Sequence, residues 1–152
     1  MLRVHATEKQ RVMKEIWQMD QDQLCEYFTS YRLFPQSLFS LRDLLNSNNL
    51  KLIKNDGKIY FGQVDRKRRS GMGICVYKEG KIYEGEFSDN ERNGIGIEVY
   101  VNGNLYLGEF ANNKKHGKGQ FFWFNLNTKG KEIVSQVVEY YDGEWWGGLP
   151  DG

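Results

Sequence analysis

The sequence predicts a mainly β protein: an elongated single antiparallel meander sheet of β-hairpin repeats, preceded by a short α-helical N-terminal segment. Three observations predict it. Glycines recur at a step of 23 residues, at Gly62, Gly85 and Gly108, at Gly71, Gly94 and Gly117, and at Gly73, Gly96 and Gly119. Tyr60, Tyr83 and Tyr106 keep the same step, and Tyr141-Asp142-Gly143-Glu144-Trp145 opens a fourth copy after 12 additional residues. All 17 glycines fall after residue 48, so the composition changes sharply there. A fixed period of this size marks an array in which each unit contacts mainly its neighbours.

The chain divides at that boundary into a helical segment, 1–48, and a repeat array, 49–152. In the first part Thr7-Glu8-Lys9-Gln10 has the form of a capping box, followed by Met13, Ile16, Trp17, Leu24, Tyr27 and Phe28 at roughly helical spacing. A second short helix is expected from Pro35 to Asn46, with Leu38, Leu41 and Leu45 on one stripe. So short a segment cannot build an independent core, and its apolar surface must pack elsewhere. Two readings stay open. The helices cap the open end of the sheet near Leu50 to Ile53, or Trp17, Tyr27, Phe28, Tyr31 and Phe34 dock onto another protein.

Within the array each copy supplies two short segments rich in aromatic and β-branched residues, bounded by turn residues. Residues two apart on a strand share a face, so Tyr83, Gly85 and Phe87 align, as do Tyr60, Gly62 and Val64, then Tyr106, Gly108 and Phe110, then Tyr141, Gly143 and Trp145. The glycine between two bulky residues leaves a slot for a neighbouring ring. Asp56-Gly57, Glu79-Gly80 and Asn102-Gly103 read as tight turns, and Ser88 to Asn93 reads as a polar turn inside the second copy. At about 4.8 Å per strand, four copies make a slab on the order of 40 Å long. The insertion, about 124–139, reads as a longer hairpin turning at Asn127 to Gly130. The fourth copy stops at Gly152, before its second strand. An array that ends on an open edge invites pairing, so a longer chain, a cover for that edge or self-association through it is expected.

Tyr83-Glu84-Gly85-Glu86-Phe87 with Gly94-Ile95-Gly96, and Tyr106-Leu107-Gly108-Glu109-Phe110 with His116-Gly117-Lys118-Gly119, resemble the MORN (membrane occupation and recognition nexus) repeat. The first copy departs from the pattern, with Gln63 for the glutamate, Val64 for the aromatic and Ser70 for the His or Asn. The resemblance implies a family of scaffolds. Its members include components of ciliary axonemes and of parasite and ciliate cytoskeletons, junctional membrane tethers, and repeat domains attached to lipid kinases or methyltransferases.

Catalytic and metal chemistry is not indicated. His116 stands where the family pattern favours His or Asn, and His5 lies near the N-terminus. Gly71 to Gly73, Gly94 to Gly96 and Gly117 to Gly119 recur with the repeat and never extend into a dinucleotide fingerprint. No cofactor is expected, and the chain reads as a non-enzyme. Lys+Arg 21 against Asp+Glu 20 argues against a nucleic-acid partner. Two cysteines, no hydrophobic signal core and no long apolar run suit a reducing, intracellular setting, in cytoplasm, cytoskeleton or cilium. One charged feature stands out: Arg66, Lys67, Arg68 and Arg69, then Arg92, then Lys114 and Lys115, fall at equivalent turns. They form either an ordinary solvated row or a basic rim for anionic phospholipids. The expected function is a structural scaffold for protein–protein interaction, with the aromatic and glycine face as docking surface. A lipid-binding adaptor and a targeting module of a longer enzyme are the alternatives.

Overall fold

The computed structural model describes residues 17–30, 49–55, 57–129 and 132–150. One helix, α1 (Gln21–Ser30), precedes nine strands: β1 (Leu50–Lys54), β2 (Lys58–Asp65), β3 (Arg68–Tyr77), β4 (Ile82–Ser88), β5 (Glu91–Val99), β6 (Leu105–Ala111), β7 (Lys114–Lys129), β8 (Glu132–Trp146) and β9 (Leu149–Pro150). The strands pair in chain order, all antiparallel, as a single open meander. The expected fold class is the observed one.

Two kinds of turn alternate along the meander. Inside the copies the turns are two residues long, Arg66-Lys67, Asp89-Asn90 and Asn112-Asn113, and every one of these residues has positive φ, between 49° and 71°. That pair of left-handed residues is the type I′ geometry, whose twist matches the flanking strands. The polar turn expected over Ser88 to Asn93 is therefore narrower: Ser88 already pairs with Glu91, and Arg92 is a strand residue opposite Phe87. Between copies, Tyr77 and Tyr100 donate backbone N–H groups to the carbonyls of Lys81 and Asn104, and Gly80 and Gly103 take the positive φ.

Each of the first three copies also carries a bulge. Register slips between Gly62 and Val64, between Gly85 and Phe87, and between Gly108 and Phe110, so the partner strand holds extra residues. Gly71, Gly94 and Gly117 absorb them at φ 89°, 93° and 61°. A side chain is strained in that region, which is why glycine recurs there.

The two sheet faces carry separate clusters. One face is aliphatic, with Ile59, Phe61, Ile74, Val76, Ile82, Ile97, Val99 and Leu105 buried. The other is aromatic, built on Tyr60, Tyr83, Phe87, Tyr106, Phe110 and Trp145. Leu24 of α1 is buried against the aliphatic cluster, with Trp17 and Met19 packed beside it. Lys54 Nζ on β1 donates to the carbonyls of Trp17 (3.3 Å) and Met19 (3.4 Å). This stretch thus packs on the aliphatic face at the β1 end of the sheet, where Leu50 and Leu52 pack against the same cluster. Residues 17–20, inside the helical spacing from Met13 to Phe28, are not helical, and α1 begins after them at Gln21. Gln23 N–H donates to Asp20 Oδ1 (2.8 Å) and Asp20 N–H to Gln23 Oε1 (3.0 Å), a reciprocal capping box. The capping box at Thr7 to Gln10 and the helix at Pro35 to Asn46 lie outside the described residues.

The insertion is a hairpin, as expected, but its strands run further. Pairing continues to Lys129 opposite Glu132, so Asn127 and Thr128 belong to β7 rather than to a turn. The pairs from Trp123 outward lie beyond the end of β6, whose last partner on β7 is Phe122. The fourth copy goes beyond the expected stop: Gly147-Gly148 turns the chain, and β9 begins its second strand.

Candidate functional site

The aromatic face is a continuous zigzag of rings. Phe87 meets Tyr60 and Tyr83 edge-on, Phe110 meets Tyr83 and Tyr106, and Trp145 meets Tyr106 and Tyr141, all with centroids 5.1–5.3 Å apart. Edge-to-face pairs contribute roughly 0.5–1.5 kcal/mol each beyond the area that they bury. Each tyrosine ring lies against the glycine of the adjoining strand, Tyr60 on Gly73, Tyr83 on Gly96 and Tyr106 on Gly119, where a Cβ would collide with the ring. The repeat's own tyrosine fills the slot. Tyr60, Tyr83 and Tyr106 are 1% exposed or less, so the framework rings form a core and not the docking surface expected of them.

Polar groups seal the same unit. The hydroxyls of Tyr83, Tyr106 and Tyr141 donate to the carbonyls of Glu86 (2.7 Å), Glu109 (2.8 Å) and Glu144 (2.9 Å), three residues on. Burial pushes the pKa values of Tyr60, Tyr83 and Tyr106 above the usual phenol value and keeps them neutral. At each bulge a ladder N–H loses its strand partner. Gln63 Oε1 takes the one from Met72, Glu86 Oε2 that from Ile95, and Glu109 Oε2 that from Lys118. The recurrent glutamate is thus a backbone acceptor, and Gln63 does the same work in the first copy.

A second ladder, of cations, threads between the rings. Arg69, Arg92 and Lys115 are again 23 residues apart. The Arg69 guanidinium sits 5.4 Å from the Phe87 ring, that of Arg92 5.4 Å from Phe110, and Lys115 Nζ 5.6 Å from Trp145. Cations over aromatic faces are attracted by the ring quadrupole. The same residues tie each copy to the next turn. Asn90 Oδ1 accepts from Arg69 N–H (2.8 Å) while Asn90 O accepts from Arg69 Nη2 (2.6 Å), and Asn113 repeats both contacts with Arg92. Gly148 N–H donates to Lys115 O in the last step. Glu98 is buried on this face, 2.8 Å from Arg92 Nη1 and 3.5 Å from Lys81 Nζ.

With this unit described, the family comparison is specific. The MORN repeat model matches residues 60–82, 83–105, 106–128 and 141–152, more than half of the chain. The chain belongs to the MORN repeat family. No curated protein matches it. MORN repeats occur in structural and membrane-binding proteins, and the family is generally non-enzymatic. The first three matched copies tile the MORN array without a gap, and the interval before the fourth falls in the long hairpin of β7 and β8. Among the described residues no group of three His, Cys, Asp or Glu could hold a metal ion, and no helix is long and apolar enough to cross a membrane.

The structure sorts the remaining predicted residues. Of the proposed rim, Arg66, Lys67, Arg68 and Lys114 are exposed, and Arg68 is ion-paired with Asp89 of the next turn. Arg69, Arg92 and Lys115 leave the rim, because the short turns place them in strands facing the rings. Trp17 packs on its own sheet rather than standing free for a partner. Tyr27 and Phe28 lie on α1, where their side chains fall outside the description, and Tyr31 and Phe34 lie outside the described residues altogether. Sequence reasoning missed the cation ladder and the Asn90 and Asn113 clips. Their signal was the same 23-residue step, set aside because the residues looked like solvated turn.

Proposed function

We propose that this chain is a non-enzymatic scaffold for protein–protein interaction in a cytoskeletal assembly, an axonemal one in particular. The observation that supports this reading best is how fully the residues that recur at the 23-residue step are used internally. Tyrosines, glycines, glutamates and turn asparagines all serve to hold a single-layer sheet rigid, leaving two long faces as its product. A single sheet has far more surface per residue than a globule, which suits a protein whose task is to present surface. Within MORN proteins the structural members are the relatives in function that this reading draws on. The test is fractionation of the source cell carrying a tagged copy. Retention in the detergent-insoluble cytoskeleton is the expected result, and full release into the detergent-soluble pool counts against the reading.

A membrane reading rests on Arg66 and Lys67, which are exposed at the first turn. Each basic residue near an anionic leaflet contributes about 1 kcal/mol, so two or three give weak, salt-sensitive attachment. Under that reading the parent chain binds anionic liposomes and neutralising Arg66, Lys67 and Arg68 together abolishes the binding; a parent chain that does not bind them counts against it.

A further inference from the structure

Near-zero net charge hides a division between the faces. Lys58 pairs with Tyr77, Arg69 with Val64, Arg92 with Phe87 and Lys115 with Phe110, and Lys81 lies 4.7 Å over the Tyr77 ring, so all five cations share the aromatic face. Glu98 lies among them, shared by Arg92 and Lys81. No described carboxylate forms an ion pair with Lys58, Arg69 or Lys115. The opposite face carries Glu84 and Glu86 on β4 and Asp142 and Glu144 on β8, with Lys54 on β1 and Lys118 on β7 among them, while the exposed Glu139 lies on the aromatic face opposite Trp123. The cations sense one another. The Lys58 ammonium is held below its ordinary pKa by burial and then by the Arg69 guanidinium. Lys115 is lowered by burial and, against the pull of Glu98, by Arg92 and Lys81.

Between these cations runs a half-buried apolar floor of Tyr77, Tyr100, Phe121 and Trp123. The ring faces are occupied: Lys58, Lys81 and Arg92 lie over Tyr77, and Lys115 lies over Tyr100 and Phe121. Rings covered in this way offer edges and apolar area, not open platforms on which nucleobases stack. The half-buried Lys58 and Lys81 stand one repeat apart, as do Arg69 and the buried, Glu98-paired Arg92, and a repeat advances two strands, or about 10 Å. Seven residues of an α-helix advance roughly the same distance, at about 1.5 Å each.

We propose that the cationic aromatic face docks an acidic amphipathic helix of a partner protein, lying along the array with its carboxylates one heptad apart. This rests on the scaffold reading and adds the surface and the chemistry of the partner. The test is fluorescence anisotropy of a labelled synthetic helix, Glu at heptad spacing with Leu between, titrated with the full chain. Saturable binding that weakens as salt rises is expected. The Lys58→Gln/Lys81→Gln variant, which spares the repeat framework, should lose about tenfold in affinity, while Arg66→Gln/Lys67→Gln binds like the parent. Coincident thermal melts show that both variants are folded. Absence of saturable binding overturns the proposal, as does an equal loss in the Arg66/Lys67 variant. Displacement of the helix by an oligonucleotide or by phosphatidylserine vesicles at lower concentration than the unlabelled helix also overturns it, and assigns the face to nucleic acid or lipid. Failure of the peptide, with the protein still retained in the cytoskeleton, removes this inference alone.

Discussion

At the scale of single residues, the array depends on tolerances of less than a methyl group. Gly96 has ordinary φ, yet a Cβ there would meet the Tyr83 ring. Gly96→Ala must displace a ring that is held on both sides by Phe87 and Phe110. It should cost about 1–3 kcal/mol in denaturant unfolding, the range for overpacked cores. Tyr83→Phe keeps the ring and loses only the hydroxyl bond to Glu86 O, and should cost about 1 kcal/mol. If the two losses were equal, the glycine slot would not be the controlling feature. The buried phenols also set a pH limit. Their folded pKa values stand above the unfolded value of 10.0, so the unfolded chain gives up protons first as pH rises. The contribution of these phenols to stability should therefore be constant below about pH 10 and fall beyond it. Phenolate absorbance and loss of sheet signal should appear together in an alkaline titration. These tyrosine and glycine positions were legible because they repeat. The role of Glu86 and Glu109 was not, since nothing in a sequence marks the bulge N–H that a carboxylate must accept.

Among elements, the two-residue turns decide how the copies stack. Asp89-Asn90 and Asn112-Asn113 place residues that tolerate positive φ where it is required, but the first copy has Arg66-Lys67, at φ 49° and 66°. Left-handed backbone at such a residue costs about 1–2 kcal/mol. Lys67→Gly relieves that strain at some cost in unfolded-chain entropy and should stabilise by about 0.5–1 kcal/mol. A higher denaturation midpoint with unchanged slope checks it; destabilisation would mean that the Lys67 side chain makes a contact that matters. Strand order and hairpin character could be read from the 23-residue step. The turn length could not, because Ser88 to Asn93 is uniformly polar, and a polar run does not say where a ladder closes. That ambiguity moved Arg92 from a rim to the interior. The non-helical stretch at 17–20 was likewise hidden, since Trp17 within it and Leu24 beyond it keep the apolar helical spacing.

As a whole, the molecule is a one-dimensional array whose rings touch in sequence from Tyr60 to Trp145, so its stability should be close to a sum over neighbours. Phe110 joins the second and third copies. Phe110→Ala should cost about 3–5 kcal/mol, and hydrogen exchange should rise across β4 to β7 while β1 and β2 keep their protection. Uniform loss of protection would instead mark the sheet as a single cooperative unit. At this scale the net charge was the misleading quantity, because a count cannot show that cations gather on the aromatic face while the other face is mixed, whereas strand register does. The most direct measurement is site-resolved photo-crosslinking in the source cell, with the reactive residue at position 81 on the aromatic face or at position 67 on the turn row. The account predicts discrete protein adducts from position 81 and few from position 67. Lipid adducts from position 67, with none to protein from position 81, would contradict it.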